Sequence, residues 1–246
     1  MAEWITECGG ASVGGTDDTL AALREHVGEL QLPQIAHGRR AIILFEGLQG
    51  SAKKFALRQL VSAFDPCHCV VHPTVFDRRE ASEGHWLARF WRQLPSAGNT
   101  AIFFRSWYRR VLDDRVLGRT PEDTIPRVFD EINEFEAQQR DYGTLLVKLY
   151  FDVSADVQEQ RLTRRQQSSW RMRGADDELI RADDPAYQAA LEQLRANTDT
   201  RWSPWRTIDG DDEQQAALAA LEAIADSWSK AMPAEPPQRV TSPRVA

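Results

Sequence analysis

Residues 41–45 read Ala-Ile-Ile-Leu-Phe, an unbroken apolar run, and Glu-Gly-Leu-Gln-Gly-Ser-Ala-Lys-Lys follows it directly. A run this short with no polar alternation suits a strand covered on both faces, which places it inside a parallel sheet with helices above and below. Similar runs recur at Cys69–Val71, Thr100–Phe104, Leu145–Phe151 and Trp205–Ile208. Between them apolar residues fall at helical spacing. Phe55, Leu57, Leu60, Val61 and Phe64 mark a helix over 52–64, and Val128, Ile132 and Phe135 mark one over 127–140. Further helices are expected over 155–167, 184–197 and 211–230. Strands alternating with helices predict an α/β fold of three layers, a five-strand parallel sheet with helices on both faces.

The chain has 246 residues, enough for one large α/β domain, expected over 16–232. Residues 1–15 are rich in Gly, Ala and Ser and are expected to be flexible; the Pro-rich segment 233–246 reads as a disordered tail. The net charge of -7 argues against broad nucleic-acid binding, although it leaves room for a local basic groove that takes a polyanion. Three cysteines, Cys8, Cys67 and Cys69, do not make a disulfide framework. Cys67-His68-Cys69 lacks the second ligand pair that zinc needs. No run approaches the apolar length of a membrane span, and the first fifteen residues lack the basic-then-apolar order of a secretory signal. A reduced, cytoplasmic protein with neither membrane nor nucleic-acid partners is expected.

The segment after the first strand stands where a phosphate-binding loop stands. Glycines let backbone N–H groups turn inward, a helix N-terminus adds partial positive charge, and a lysine reaches the outer phosphates. Gly47, Gly50, Ser51, Lys53 and Lys54 supply these parts. The strict G-x-x-x-x-G-K-[ST] pattern is not met, because Ala52 precedes Lys53 and no hydroxyl follows it. The plain alternative for this loop alone is an ordinary strand-to-helix turn with a surface lysine.

Three segments taken together carry a resemblance: EGLQGSAKK at 46–54, FFRSWYRRVLDDRVLGR at 103–119 and LYFDVSADVQEQRLTRR at 149–165. Their order and spacing resemble the polyphosphate kinase 2 family, and Ser203-Pro204-Trp205 fits the family's step into its last strand. The resemblance implies a P-loop kinase-like fold with a helical lid, here about 155–183. It implies transfer of phosphoryl groups between polyphosphate and nucleoside phosphates, with Mg2+. The family's loop reads roughly E-G-x-D-x-x-G-K-G, and here Gln49 stands in place of its aspartate. Its second motif reads D-R-S-W-Y, and here Phe104 stands in place of that aspartate. The flank Ile102-Phe103-Phe104 is closer to the N-terminal half of the duplicated polyphosphate:AMP phosphotransferases, whose other half holds the fuller motif set. Glu46, Asp77, Asp113 and Asp114 are the candidate substitutes as magnesium ligands.

The basic residues are better kept. Arg105, Arg109 and Arg110 follow the third strand at the sheet's carboxyl edge, where open α/β sheets place ligands. Arg161, Arg164 and Arg165 lie at helical spacing ahead of Trp170, Arg171 and Arg173, in what the resemblance makes the lid. Arginine's planar fork suits phosphate oxygens. Lys53 and Arg105 are thus the candidate catalytic residues. Gly47, Gly50, Ser51, Lys54, Arg109, Arg110, Arg161 and Arg165 are candidates for binding phosphate or nucleotide. Trp86, Phe90 and Trp91 read as one helix face belonging to the core or a subunit contact rather than a base-stacking platform. Two functions follow. One is a polyphosphate:nucleotide phosphotransferase. The other is a catalytically weakened binding protein, a homo-oligomer or the partner of a complete homologue.

Overall fold

The structure is a computed structural model that describes residues 15–74, 84–166 and 180–237. In chain order the elements are α1 (Thr16–Ala36), β1 (Arg40–Glu46), α2 (Lys53–Ala63), β2 (Cys69–Pro73), α3 (Ala88–Trp91) and β3 (Thr100–Phe104). They continue with α4 (Asp113–Val116), α5 (Ile125–Asp141), β4 (Thr144–Asp152), α6 (Ala155–Gln166), α7 (Pro185–Thr198), β5 (Trp205–Asp209) and α8 (Glu213–Ala231). The strands form one sheet in the order β2-β3-β1-β4-β5, and every pairing is parallel.

The apolar runs divide between the two faces residue by residue, as the two-residue period of a strand requires. Ile42, Leu44, Ala101, Phe103, Leu146 and Tyr150 belong to one core, under α5 and α7. Ala41, Ile43, Phe45, Ile102, Val147 and Phe151 belong to the other, under α1, α2 and α8. This is the expected three-layer arrangement. The strand order reverses between β1 and β3, so a crevice opens at their carboxyl ends.

α1 is the long element that the sequence pattern did not announce, as the single turn α4 is the short one. The inward face of α1 runs Leu20, Leu23, Val27, Gln31 and Gln34, so the apolar stripe ends in two glutamines. Gln34 lies at the centre of a buried link: its Nε2 donates to Thr100 Oγ1 at 3.0 Å and its Oε1 accepts from Trp228 Nε1 at 3.0 Å. α3 is also shorter than the Trp86, Phe90 and Trp91 pattern suggested. It is a single turn, and Trp86 lies before it. Of the expected lid, α6 and residues 180–183 are described; Trp170, Arg171 and Arg173 lie outside the described residues, as do Asp77, Cys8 and most of both terminal segments. Among the described residues no helix is long and apolar enough to cross a membrane.

A buried polar cluster fixes the segment after β3. Lys148, fully buried in mid-strand, donates from Nζ to Glu136 Oε2 at 3.1 Å and to the Thr198 carbonyl at 2.7 Å. Trp107 Nε1 donates to the second Glu136 oxygen at 3.0 Å. Trp107 and Tyr108 therefore turn into the core, Trp107 edge-on to Phe90, Phe103 and Phe135. Removing one member of a buried ion pair strands the other. Glu136→Ala is therefore expected to lower the unfolding free energy by about 3–5 kcal/mol in urea titration; a loss under about 1 kcal/mol, as at an exposed pair, would contradict this account of the cluster.

Candidate functional site

The loop after β1 is almost wholly buried: from Gly47 to Lys53 only Gln49 is partly exposed. Buried carbonyls need partners, and side chains hold four in succession. Lys53 Nζ donates to the carbonyls of Gly47 and Leu48, the latter at 2.8 Å. Leu48 O also accepts from Ser51 Oγ at 3.0 Å. Gln49 O accepts from Gln158 Nε2 at 3.0 Å, and Gly50 O from Arg161 Nη1 at 2.8 Å. Gly47 must be glycine, because its φ is +129° and a Cβ would meet Phe151 O at 2.3 Å. Gly50, at φ +88°, faces Gln158 at close range in the same way.

Across the crevice, β3 ends in Phe104 and the chain turns at Arg105, whose φ of +64° makes it the one non-glycine residue with positive φ among the described residues. Such a conformation costs about 1–3 kcal/mol and persists where neighbours enforce it. Here Arg105 N donates to Phe45 O at 3.0 Å. Ser106 donates from both its N and its Oγ to Glu46 Oε1, each at 2.6 Å. The turn thereby hangs on the last residue of β1. The Arg105 guanidinium pairs with Asp113 Oδ2 at 3.2 Å. Arg109 pairs with Asp114 at 3.2 Å, and Arg119 reaches the same oxygen at 3.4 Å. A cavity opens between Leu48, Gln49, Arg105, Arg109, Asp113 and Leu117.

Glu46 and Lys53 share a poorly hydrated space. Burial pushes the Glu46 carboxyl up to about 7, against the pull of the Ser106 hydroxyl and with the Asp113 charge adding to the rise. Burial also pushes the Lys53 amine down to about 7; the Arg105 charge adds to the fall, while Asp113 and Glu46 oppose it and Arg165 adds to it weakly. The Phe104 ring lies 5.5 Å from Lys53 Nζ, where the family motif would put a carboxylate.

Of the expected site residues, Arg105 and Arg109 line the cavity beside Leu48 and Gln49, and Gly47, Gly50, Ser51 and Lys53 belong to the loop that adjoins it. Lys54 is exposed on the first turn of α2. Arg110 stands to the side, stacked 5.1 Å from the Trp86 ring, with its buried Nε lacking a hydrogen-bond partner among the described residues. Trp86 itself donates to Glu131 Oε2 at 2.6 Å and Phe90 is buried, whereas Trp91 is 44% exposed and meets Phe135 edge-on. Arg165 is close enough for its charge to act on Lys53, whereas Arg164 is exposed. Arg161 is engaged with backbone carbonyls instead of facing the crevice. Gln158 is the residue the sequence reading missed. The sequence carries no signal for it, since a glutamine on an amphipathic helix reads as surface and only the fold encloses it.

Among the described residues the candidate magnesium ligands are already engaged by neighbours, and Asp77 lies outside the described residues. Glu46 holds Ser106, Asp113 holds Arg105, Asp114 holds Arg109 and Arg119, and Phe104 offers no oxygen. No group of three acidic, His or Cys side chains among the described residues could hold a metal ion.

Residues 14–236 match the family described as polyphosphate kinase 2. The chain belongs to the polyphosphate kinase 2 family. It is 32% identical over 192 residues to a polyphosphate:AMP phosphotransferase of Pseudomonas syringae pv. tomato, covering 77% of this chain and 39% of that protein. To ADP-polyphosphate phosphotransferase 3 of Rhizobium meliloti it is 30% identical over 223 residues, covering 88% of this chain and 77% of that one. The crystal structure of polyphosphate kinase 2 from Arthrobacter aurescens TC1 matches with a TM-score of 0.84 at 25% identity, over 94% of this chain and 84% of that one. The chain spans only 38–39% of the length of the polyphosphate:AMP phosphotransferases it matches. Its α/β P-loop kinase-like fold is that of the polyphosphate kinase 2 family.

The two shifted groups give a signed pH dependence. Below pH 4.5 Glu46 is protonated in both folded and unfolded chains. As pH rises from 4.5 to about 7 the unfolded chain releases that proton while the folded chain keeps it, so stability falls. Above about 7 the depressed Lys53 acts oppositely, and stability recovers. Glu46→Gln keeps an acceptor for Ser106 without the titration. It should match the natural chain near pH 4.5 and exceed it at pH 7 by on the order of 1–3 kcal/mol in urea unfolding. Parallel pH profiles for the two proteins would contradict the buried carboxyl.

Proposed function

We propose that the crevice binds inorganic polyphosphate and a nucleoside phosphate and moves a phosphoryl group between them. The carrying observation is that the carbonyls of Gly47, Leu48, Gln49 and Gly50 are all held by side chains. Carbonyls held outward turn the amide edge of a loop towards its ligand, and the following α2 adds the positive end of a helix. Arg105 and Arg109 then supply guanidinium groups on the other wall. Phosphoryl transfer asks the protein mainly for positioning and charge neutralisation, which these groups can give. Relatives named for transfer between polyphosphate and AMP or ADP support this substrate class. A reduced cytoplasmic setting is part of this reading.

One observation favours a second reading, a weakened enzyme that holds polyphosphate or nucleotide as a homo-oligomer or beside a complete homologue. Phe104 and Gln49 stand where the family motif has carboxylates, and Lys53 is turned onto its own loop. The test is a transfer assay of the pure protein with polyphosphate, magnesium and each nucleoside mono- and diphosphate, run beside calorimetric titration. On the second reading the natural chain binds but transfers slowly, and Gln49→Asp with Phe104→Asp raises transfer. Phe104 is only partly buried, so the double variant is expected to fold, which its melting curve checks. Turnover by the natural chain at roughly 1–100 per second would exclude the second reading; no binding of any phosphate ligand would exclude both.

Lys53→Ala is expected to weaken polyphosphate binding about tenfold, because the loop loses a donor that holds its Gly47 and Leu48 carbonyls in place. It should also lower the melting temperature, because the Gly47 carbonyl loses its donor and the Leu48 carbonyl loses one of several. Unchanged affinity in the titration would remove Lys53 from the site.

A further inference from the structure

α6 lies behind the loop, and two of its side chains, one turn apart, reach the loop's backbone. Gln158 is fully buried. Its Nε2 donates to Gln49 O and to Ile180 O, each at 3.0 Å, and its Oε1 accepts from Ala182 N at 2.8 Å. All its hydrogen-bonding capacity on that face is thus used to join the loop, the helix and the segment at 180–182. Arg161 Nη1 donates to Gly50 O at 2.8 Å and to Gly210 O at 2.6 Å, while Nη2 donates to Asp211 O at 2.7 Å. The turn after β5 abuts the same loop closely. A Cβ at Gly210 would lie 2.3 Å from Asp152 O and 3.2 Å from Ala52 N.

We propose that Gln158 and Arg161 are positioning residues that brace the phosphate loop from behind, fixing the Gln49 and Gly50 carbonyls outward and tying them to the turn after β5. The inference deepens the proposed function, on which its binding arm rests. It gives Arg161 a role different from the phosphate contact implied by family resemblance. The chemistry fits the brace. A carbonyl is a pure acceptor, and one planar guanidinium with several diverging N–H groups can serve three carbonyls at once. Lysine keeps the charge but offers its donors from a single point. Arg161→Lys therefore separates charge from geometry. Gln158→Met keeps volume and removes the bond to Gln49 O without touching any charge.

The test measures tripolyphosphate affinity by calorimetry at several salt concentrations, and amide hydrogen exchange of residues 47–52 without ligand, in the natural chain, Arg161→Lys and Gln158→Met. Exchange at 47–52 should rise in both variants while β1 and β4 stay protected, and both should bind about tenfold more weakly. The salt dependence should match that of the natural chain, because no phosphate contact has been lost. A direct contact would instead leave Arg161→Lys with most of the affinity, because the lysine keeps the charge. That result overturns the brace, as does unchanged loop exchange. If the natural chain takes up no tripolyphosphate, the proposed function fails, and the exchange measurement still decides the brace by itself.

Discussion

A buried peptide carbonyl with no partner costs about 1–3 kcal/mol, and the turn from β1 into α2 buries several in a row. Everything at the carboxyl edge of the sheet is arranged around that constraint. Lys53 and Ser51 serve the first carbonyls from within the loop. Gln158 and Arg161 serve the next ones from a helix more than a hundred residues later. The loop is therefore a joint product of α2, α6 and the turn after β5. On the proposed reading, the amide edge serves an anion because the opposite edge is tied down.

The segment Arg105-Ser106-Trp107-Tyr108 divides its work by direction. Trp107 and Tyr108 enter the core around Glu136 and Lys148, whereas Arg105 and Ser106 face the crevice. The aromatic anchor and the Glu46–Ser106 link together enforce the left-handed backbone at Arg105. Stability and site geometry are thus the same set of contacts here. Phe104, one position earlier, packs its ring beside Lys53 Nζ.

The five strands were legible because continuous apolar runs have few other uses, and all five lie where those runs predicted. α1 was not, because its inward stripe ends in Gln31 and Gln34, whose burial depends on distant partners such as Thr100 and Trp228. The loop, Lys53 and Arg105 were legible as a place. Their partners were not, because hydrogen bonds between residues 60 or 110 apart leave no local signature. Gln158 illustrates this: as a glutamine on an amphipathic helix it looks like surface, and only the fold shows it enclosed. Arg161 illustrates the converse, since an arginine beside a phosphate loop invites a phosphate contact that its three carbonyl partners do not support.

On the proposed function, the amide edge of residues 47–53 is the anion-binding surface. Nitrogen–proton correlation spectra of the labelled protein, recorded while tripolyphosphate is added, address it directly. The expected result is a set of saturable shifts concentrated on the backbone amides between Gly47 and Lys53 and on Arg105, with the amides around Lys148 unmoved. Saturable shifts confined to other surfaces, with the loop amides unchanged, would contradict it.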